Sequence, residues 1–308
     1  MLMSVTRAVK ATKQPRGGYL NPKKMAVVQL DDGKILADAE NIYAGTVGTA
    51  VDYLSRYVTS GDAEAAFHIS LLGAQGVGQE AQARRLLARL DKDLSDVCVT
   101  AACQLVGYDV VYRAGALVKP VDEILPDCVT IENIRVMVIR AVTFFEQYGP
   151  VLADGFEFGW RDPNCSFPQG GYTLKVASGD GDFLTDGILW DFKVSKNPLM
   201  KDHTLQLLMY AVMAIVAHGR YMSLKNAGQL SGEVPAYIEH GFDAIRKIGI
   251  FNPRLNQVYT YDLASDISLL VTIGQEVIGY ESAIYDPAAE SGVFDWTTVY
   301  IPRHFDGD

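Results

Sequence analysis

The chain has 308 residues, 49% of them hydrophobic, enough to bury a sizeable core as one large domain or as a core with a helical appendage. Its formal net charge of −10 argues against a protein that coats nucleic acid by bulk attraction, and leaves room for an enzyme with a local basic groove. No apolar run reaches about 18 residues without a polar break, and no apolar signal-peptide core opens the chain, so neither a membrane span nor secretion is expected and the location read is cytoplasmic.

Residues 1–25 look irregular, with Pro15, Gly17, Gly18 and Pro22. They carry Arg7, Lys10, Lys13, Arg16, Lys23 and Lys24 before the first acid at Asp31, a basic arm that either meets phosphate or is simply solvated. Residues 25–30 and 34–36 flank Asp31-Asp32-Gly33, the pattern of a hairpin with an Asp-Gly turn. A helix is expected over 41–58, with Ala44, Val47, Val51, Leu54 and Val58 on one face and Asp52 at its margin. Helices are expected at 62–73 and 79–92, and the glycines between them lack the Gly-Lys-Ser/Thr ending of a phosphate loop. Further helices are read at 94–107 and 131–148, joined by a connector at 108–130 that holds Pro120 and Pro126. Cys98, Cys103, Cys128 and Cys165 match no zinc spacing and are read as buried or idle thiols.

After Gly149-Pro150 the pattern changes to strands, at 156–160, 172–177 and 188–194. A helix from His203 to 217 is apolar nearly all round and therefore buried, with His203 either helping to begin it or touching DNA. A loop or broken helix at 217–235 and a helical stretch at 235–247 lead to strands at 247–251 and 257–263, a closing helix at 265–282 and a short strand at 297–301. The order implies an α/β fold, with a mixed sheet flanked by helices in residues 151–308 and a mostly helical region, 26–150, packed on it.

The chemistry concentrates in the middle of that second half. Asp191 and Lys193 are two apart on a strand, so they project from one face. Asp182 comes nine residues before Asp191, just after an expected turn at 179–181. Gln206 and Tyr210, four apart, share one face of the buried helix. A buried amide or phenol without a partner costs about 1–3 kcal/mol, so this helix must meet a polar site. Two adjacent carboxylates repel each other, and a divalent cation removes the repulsion by binding both. Magnesium takes one or two carboxylates, keeps several waters and accepts phosphate oxygens. A lysine beside it is placed to hold the attacking water and to neutralise developing charge.

Gly179-Asp180-Gly181-Asp182, Asp191-Phe192-Lys193 and Gln206-x-x-x-Tyr210, in this order, resemble the PD-(D/E)XK nuclease superfamily, most of all its RecB-like exonuclease branch, over about residues 150–265. The resemblance implies a restriction-endonuclease-like core and a Mg2+- or Mn2+-dependent deoxyribonuclease. It assigns the metal to Asp182, Asp191 and the backbone carbonyl of Phe192, and the water to Lys193. Gln206 would orient Lys193 or the substrate, and Tyr210 would pack or bond near the scissile strand. Where the branch carries Gly-x-x-x-His, this chain has Gly48-Thr49-Ala50-Val51-Asp52, so Asp52 is a further candidate ligand, with Glu157 as its rival. Lys196 and Arg254 join Tyr210 as candidate nucleic-acid contacts, Arg254 being otherwise a solvated loop residue. Some relatives hold an iron–sulfur cluster with one early and three late cysteines. No cysteine follows Cys165, so none is expected here. The implied partner is single- or double-stranded DNA, in recombination, repair or phage and mobile-element metabolism, and the helical region would form a groove wall or a protein-partner surface. The alternative is a non-catalytic nuclease-like module that binds nucleic acid or a protein, a reading motivated by the acidic charge and by aspartate at position 52.

Overall fold

A computed structural model describes residues 2–117 and 119–280, together with two short paired strands, Ile284–Tyr285 and Val293–Phe294. The strand expected at 297–301 lies outside the described residues. The main helices are α1 (Val5–Ala11), α2 (Ala44–Ser60), α3 (His68–Gly76), α4 (Glu80–Leu87), α5 (Asp96–Ala114), α6 (Cys128–Tyr148) and α7 (Lys201–Asn226). The central sheet comprises β1 (Ala26–Gln29), β2 (Val151–Glu157), β3 (Asp180–Thr185), β4 (Ile188–Phe192), β5 (Lys247–Asn252) and β6 (Gln257–Asp262).

The sheet runs β1-β6-β5-β4-β3-β2. Strands β2, β3 and β4 form an antiparallel meander, and α7 then crosses over so that β5 lies parallel to β4. The β5–β6 hairpin follows, and β1 pairs antiparallel on the outer edge of β6. The expected α/β class with a mixed, helix-flanked sheet is therefore observed.

β4 is central because Leu189, Trp190, Asp191 and Phe192 are buried, and its Trp and Phe fill one face while Leu189 fills the other. On the first face α6 lays Phe144 flat on Phe251, centroids 4.3 Å apart, and edge-on to Trp190 at 4.8 Å. The Trp190 indole N–H donates to Thr185 Oγ1 at 2.9 Å, so this core leaves its one polar edge satisfied. On the second face α7 buries Leu205, Leu208, Met209 and Val212 against Leu189, Ile248 and Ile250. α7 is long and apolar enough to cross a membrane, but 83% of its most apolar window is buried inside the protein. A separate core of α2, α3, α5 and α6 side chains fills the helical region.

Several segments differ from the sequence reading. Residues 2–25 do not extend as an arm: Val5, Val9, Leu20 and Met25 enter the main core, Met3–Ser4 pairs with Val176–Ser178, and Thr204 Oγ1 donates to Leu20 O at 2.7 Å. Arg7, Lys10, Lys13 and Arg16 remain on the surface of this packed segment. The Asp-Gly hairpin does not form. Asp31 and Asp32 accept from the Gly33 and Lys34 N–H groups, and Arg140 grips Asp32 at 2.6 and 2.9 Å, so the chain turns away toward α6. β1 pairs with β6 instead. Helix α5 continues through the expected connector to Ala114, because Tyr108, Asp109 and Val111 are buried. Helix α7 continues through the expected loop to Asn226, burying His218, Tyr221 and Leu224. Between 172 and 177 only Val176 and Ala177 belong to a strand, the one paired with Met3–Ser4, and the strand that joins the central sheet is β3, which contains two of the residues expected to form a turn.

Candidate active site

β3 and β4 bring the acidic pair together. Extending their register from Phe183 opposite Trp190 sets Asp182 opposite Asp191. Like charges facing each other across an antiparallel pair are destabilising. Asp191 is only 1% exposed. Asp182 is partly open, and its Oδ2 accepts the Phe192 N–H at 2.7 Å. Burial pushes the Asp191 carboxyl up to about 7, with Asp182 adding to the rise and Lys193 opposing it.

Lys193 Nζ lies 2.9 Å from Asp191 Oδ1 with hydrogen-bond geometry, and 2.8 Å from Oδ2 without it. Oδ2 is therefore a buried carboxylate oxygen that meets the charge of Lys193 without an aligned hydrogen bond. Burial pulls the Lys193 ammonium toward neutrality, but Asp191 and Asp182 more than offset this and raise its pKa. From α7, Gln206 Oε1 accepts a second Lys193 proton at 3.3 Å, and its amide donates to Tyr210 Oη at 2.9 Å. Tyr210 is buried and stacked on Phe158, centroids 4.8 Å apart. It braces Gln206 from inside, so its expected contact with nucleic acid is not available.

α2 closes the site. A cavity of about 410 Å³ is lined by Ala44, Gly45, Gly48, Thr49 and Asp52 on one side, and by Asp182, Phe192, Lys193 and Val194 on the other. The Gly48-to-Asp52 spacing thus does reach the Asp182 site. Both oxygens of Asp52, however, are taken by Arg56 one turn on: Nε to Oδ1 at 2.9 Å and Nη2 to Oδ2 at 3.0 Å. Burial pushes Asp52 up to about 6, with Arg56 opposing and Asp182 reinforcing. Arg56 Nη2 also stands 3.8 Å from Asp182 Oδ1. The sequence reading missed Arg56, although an Asp-x-x-x-Arg spacing on a predicted helix was the available signal.

The remaining candidates fall elsewhere. Glu157 is exposed, pairs with Asp180 at the end of β2, and does not line the cavity. Lys196 is exposed in the loop between β4 and α7. Arg254 is neither a solvated loop residue nor turned outward to phosphate: its guanidinium pairs with Glu40 and both side chains are only 7% exposed. Asn133 donates to the same Glu40 at 2.7 Å and fixes the pair in place. His203 accepts the Met200 N–H at the start of α7, and burial, followed by the Lys193 charge, lowers it to about 4. Of the cysteines, Cys98 and Cys103 are buried, with thiols pushed up by burial to about 11 and about 12, while Cys128 and Cys165 are exposed.

Among the described residues no three His, Cys, Asp or Glu side chains converge as a ready metal-binding group. The candidate oxygen donors are Asp182, Asp191 Oδ2, which Lys193 Nζ already approaches to 2.8 Å, and the backbone carbonyl of Phe192. This all-oxygen set of two carboxylates suits Mg2+ or Mn2+, which keep part of their water shell. The sequence matches no protein-family model and no curated protein, and the fold matches no solved structure.

Proposed function

We propose that the chain is a metal-dependent nuclease that hydrolyses DNA phosphodiester bonds, with a restriction-endonuclease-like core formed by the sheet and its flanking helices. The observation that carries this reading is the facing pair Asp182 and Asp191, with Lys193 bonded to Asp191 and Gln206, and with Asp182 and Lys193 lining a cavity from which Asp191 is buried. A fold gains no stability from setting two carboxylates against each other, and such arrangements concentrate at functional sites.

Asp182, Asp191 and the Phe192 carbonyl would hold magnesium or manganese, which when bound would acidify a water and stabilise charge on the phosphoryl group. An ammonium has three N–H donors. Asp191 and Gln206 take two of those on Lys193, and the third remains to hold the attacking water or a phosphate oxygen. Gln206, braced by Tyr210, fixes the direction of that donor. Ala44, Gly45 and Gly48 keep the facing wall low, so a phosphate backbone can approach. An enzyme of this kind would serve DNA recombination, repair or mobile-element metabolism.

The test is cleavage of end-labelled single- and double-stranded DNA with Mg2+ or Mn2+, by the wild type, Asp191→Ala and Lys193→Ala. Both variants should lose about 100-fold or more in rate, the usual cost of removing one charge-stabilising group. Equal cleavage by all three proteins would refute the assignment. A second reading, a non-catalytic binding module, is favoured by one observation: Arg56 already supplies a cation to Asp52 and stands near Asp182. It predicts an inactive wild type whose DNA binding is unchanged by EDTA.

A further inference from the structure

Arg56 is more than a helix-surface ion pair. Its side chain is 12% exposed and sits near two aromatic rings, with the guanidinium carbon 5.4 Å from the Phe183 centroid and 5.8 Å from that of Tyr53. The neighbouring strand is shaped for it. Gly155 on β2 faces Asp182, and a Cβ there would lie 2.1 Å from Arg56 Nη1. Asp52, Asp154 and Asp182 all act on this one guanidinium. With Asp191, these four carboxylates face two cationic side chains, Arg56 and Lys193, a deficit of two positive charges before Asp180, which also feels Arg56, Arg113 and Asp182, is counted. One divalent ion balances that deficit.

We propose that Arg56 is a built-in cation doing the work of a second metal ion, so that the site loads a single divalent ion on Asp182 and Asp191 while Asp52 anchors the arginine. The inference rests on the nuclease reading and specifies how that site is loaded. A guanidinium stays charged at any working pH and cannot dissociate, so this half of the site is permanently filled. The bidentate fork fixes its plane, which a hydrated ion or a lysine would not do.

The experiment counts bound Mn2+ per chain, by calorimetry and by the EPR signal of free manganese, with circular dichroism and melting as fold controls. Wild type should bind one ion. Arg56→Gln, which releases Asp52, should bind two, and Arg56→Gln with Asp52→Asn should return to one. If Arg56→Gln fails to fold, Asp52→Asn alone decides: it should keep one ion and lose no more than the roughly 10–100-fold in affinity that removal of an outer-shell partner costs, whereas loss of a true ligand should weaken binding beyond about 100-fold. Wild type binding two ions, a folded Arg56→Gln holding only one, or a loss beyond about 100-fold in Asp52→Asn overturns the inference and leaves the nuclease reading standing. Wild type binding none overturns both.

Discussion

Gly155→Ala tests whether the sheet is shaped around Arg56. The residue has φ 53, in the left-handed region, where a side chain costs about 1–2 kcal/mol. The new methyl would also stand 2.1 Å from Arg56 Nη1, far inside the ~3.5 Å of ordinary contact. With Phe183 and Tyr53 close by, the guanidinium has little room to retreat, so it must give up Asp52. Removing one partner of a fully buried ion pair costs about 3–5 kcal/mol. These side chains are 12% and 21% exposed, so water recovers part of that. Discounting by about half and adding the backbone strain gives about 3 kcal/mol. Gly187→Ala is the control: φ is 74, but the nearest atom to its Cβ is Ala244 O at 3.4 Å, so only strain of about 1 kcal/mol is expected. Urea unfolding of both variants in EDTA measures the difference. Equal destabilisation, within about 0.5 kcal/mol, would refute the idea that β2 makes room for the arginine.

Arg254→Ala should cost about 3–5 kcal/mol in urea unfolding, because it strands the buried Glu40, and should leave DNA cleavage per folded molecule unchanged. A selective loss of DNA affinity would reinstate it as a phosphate contact. His203 is held neutral in the fold, at about 4 against the ordinary 6.5, so the unfolded chain takes up its proton first as pH falls. Its contribution is complete above about pH 6.5 and drains away between there and about pH 4, and His203→Gln should flatten the stability curve in that window by about one proton. A thiol reagent should label Cys128 and Cys165 in the native protein and reach Cys98 and Cys103 only in denaturant, and four rapidly reacting thiols would contradict the packing of α5.

The parts of the site that were legible in the sequence obey local periodicity. Asp191 with Lys193, and Gln206 with Tyr210, needed only the two-residue and four-residue repeats of strand and helix. What escaped depended on distant partners. β3 opens Asp-Gly-Asp and reads as a turn, yet its hydrogen bonds come from β2 and β4. The burial of Tyr210 and Arg254 was not legible, because nothing local announces a Phe158 ring below one or a Glu40 carboxylate beside the other. Asp52 was found by its spacing from Gly48, while the residue that occupies it sat four positions further along the same helix. The α/β class survived because the apolar character of β4 and α7 is continuous. The arm and the first hairpin did not, because single buried residues such as Leu20 and the Arg140 clamp on Asp32 decide their course.

The position of β1 has a consequence for how the protein is made. Gln29 and its sheet partner Gln257 are 228 residues apart in the chain. At about 5–20 residues per second, a ribosome delivers β6 roughly 10–45 s after β1 has emerged. Throughout that interval β1 has no strand to pair with, and even in the finished fold Val27 and Val28 stay 54% and 46% exposed. The nascent chain therefore carries a short, sticky, unpaired strand for most of its synthesis, whereas the carboxylate pair, on two strands adjacent in the chain, is not subject to that delay.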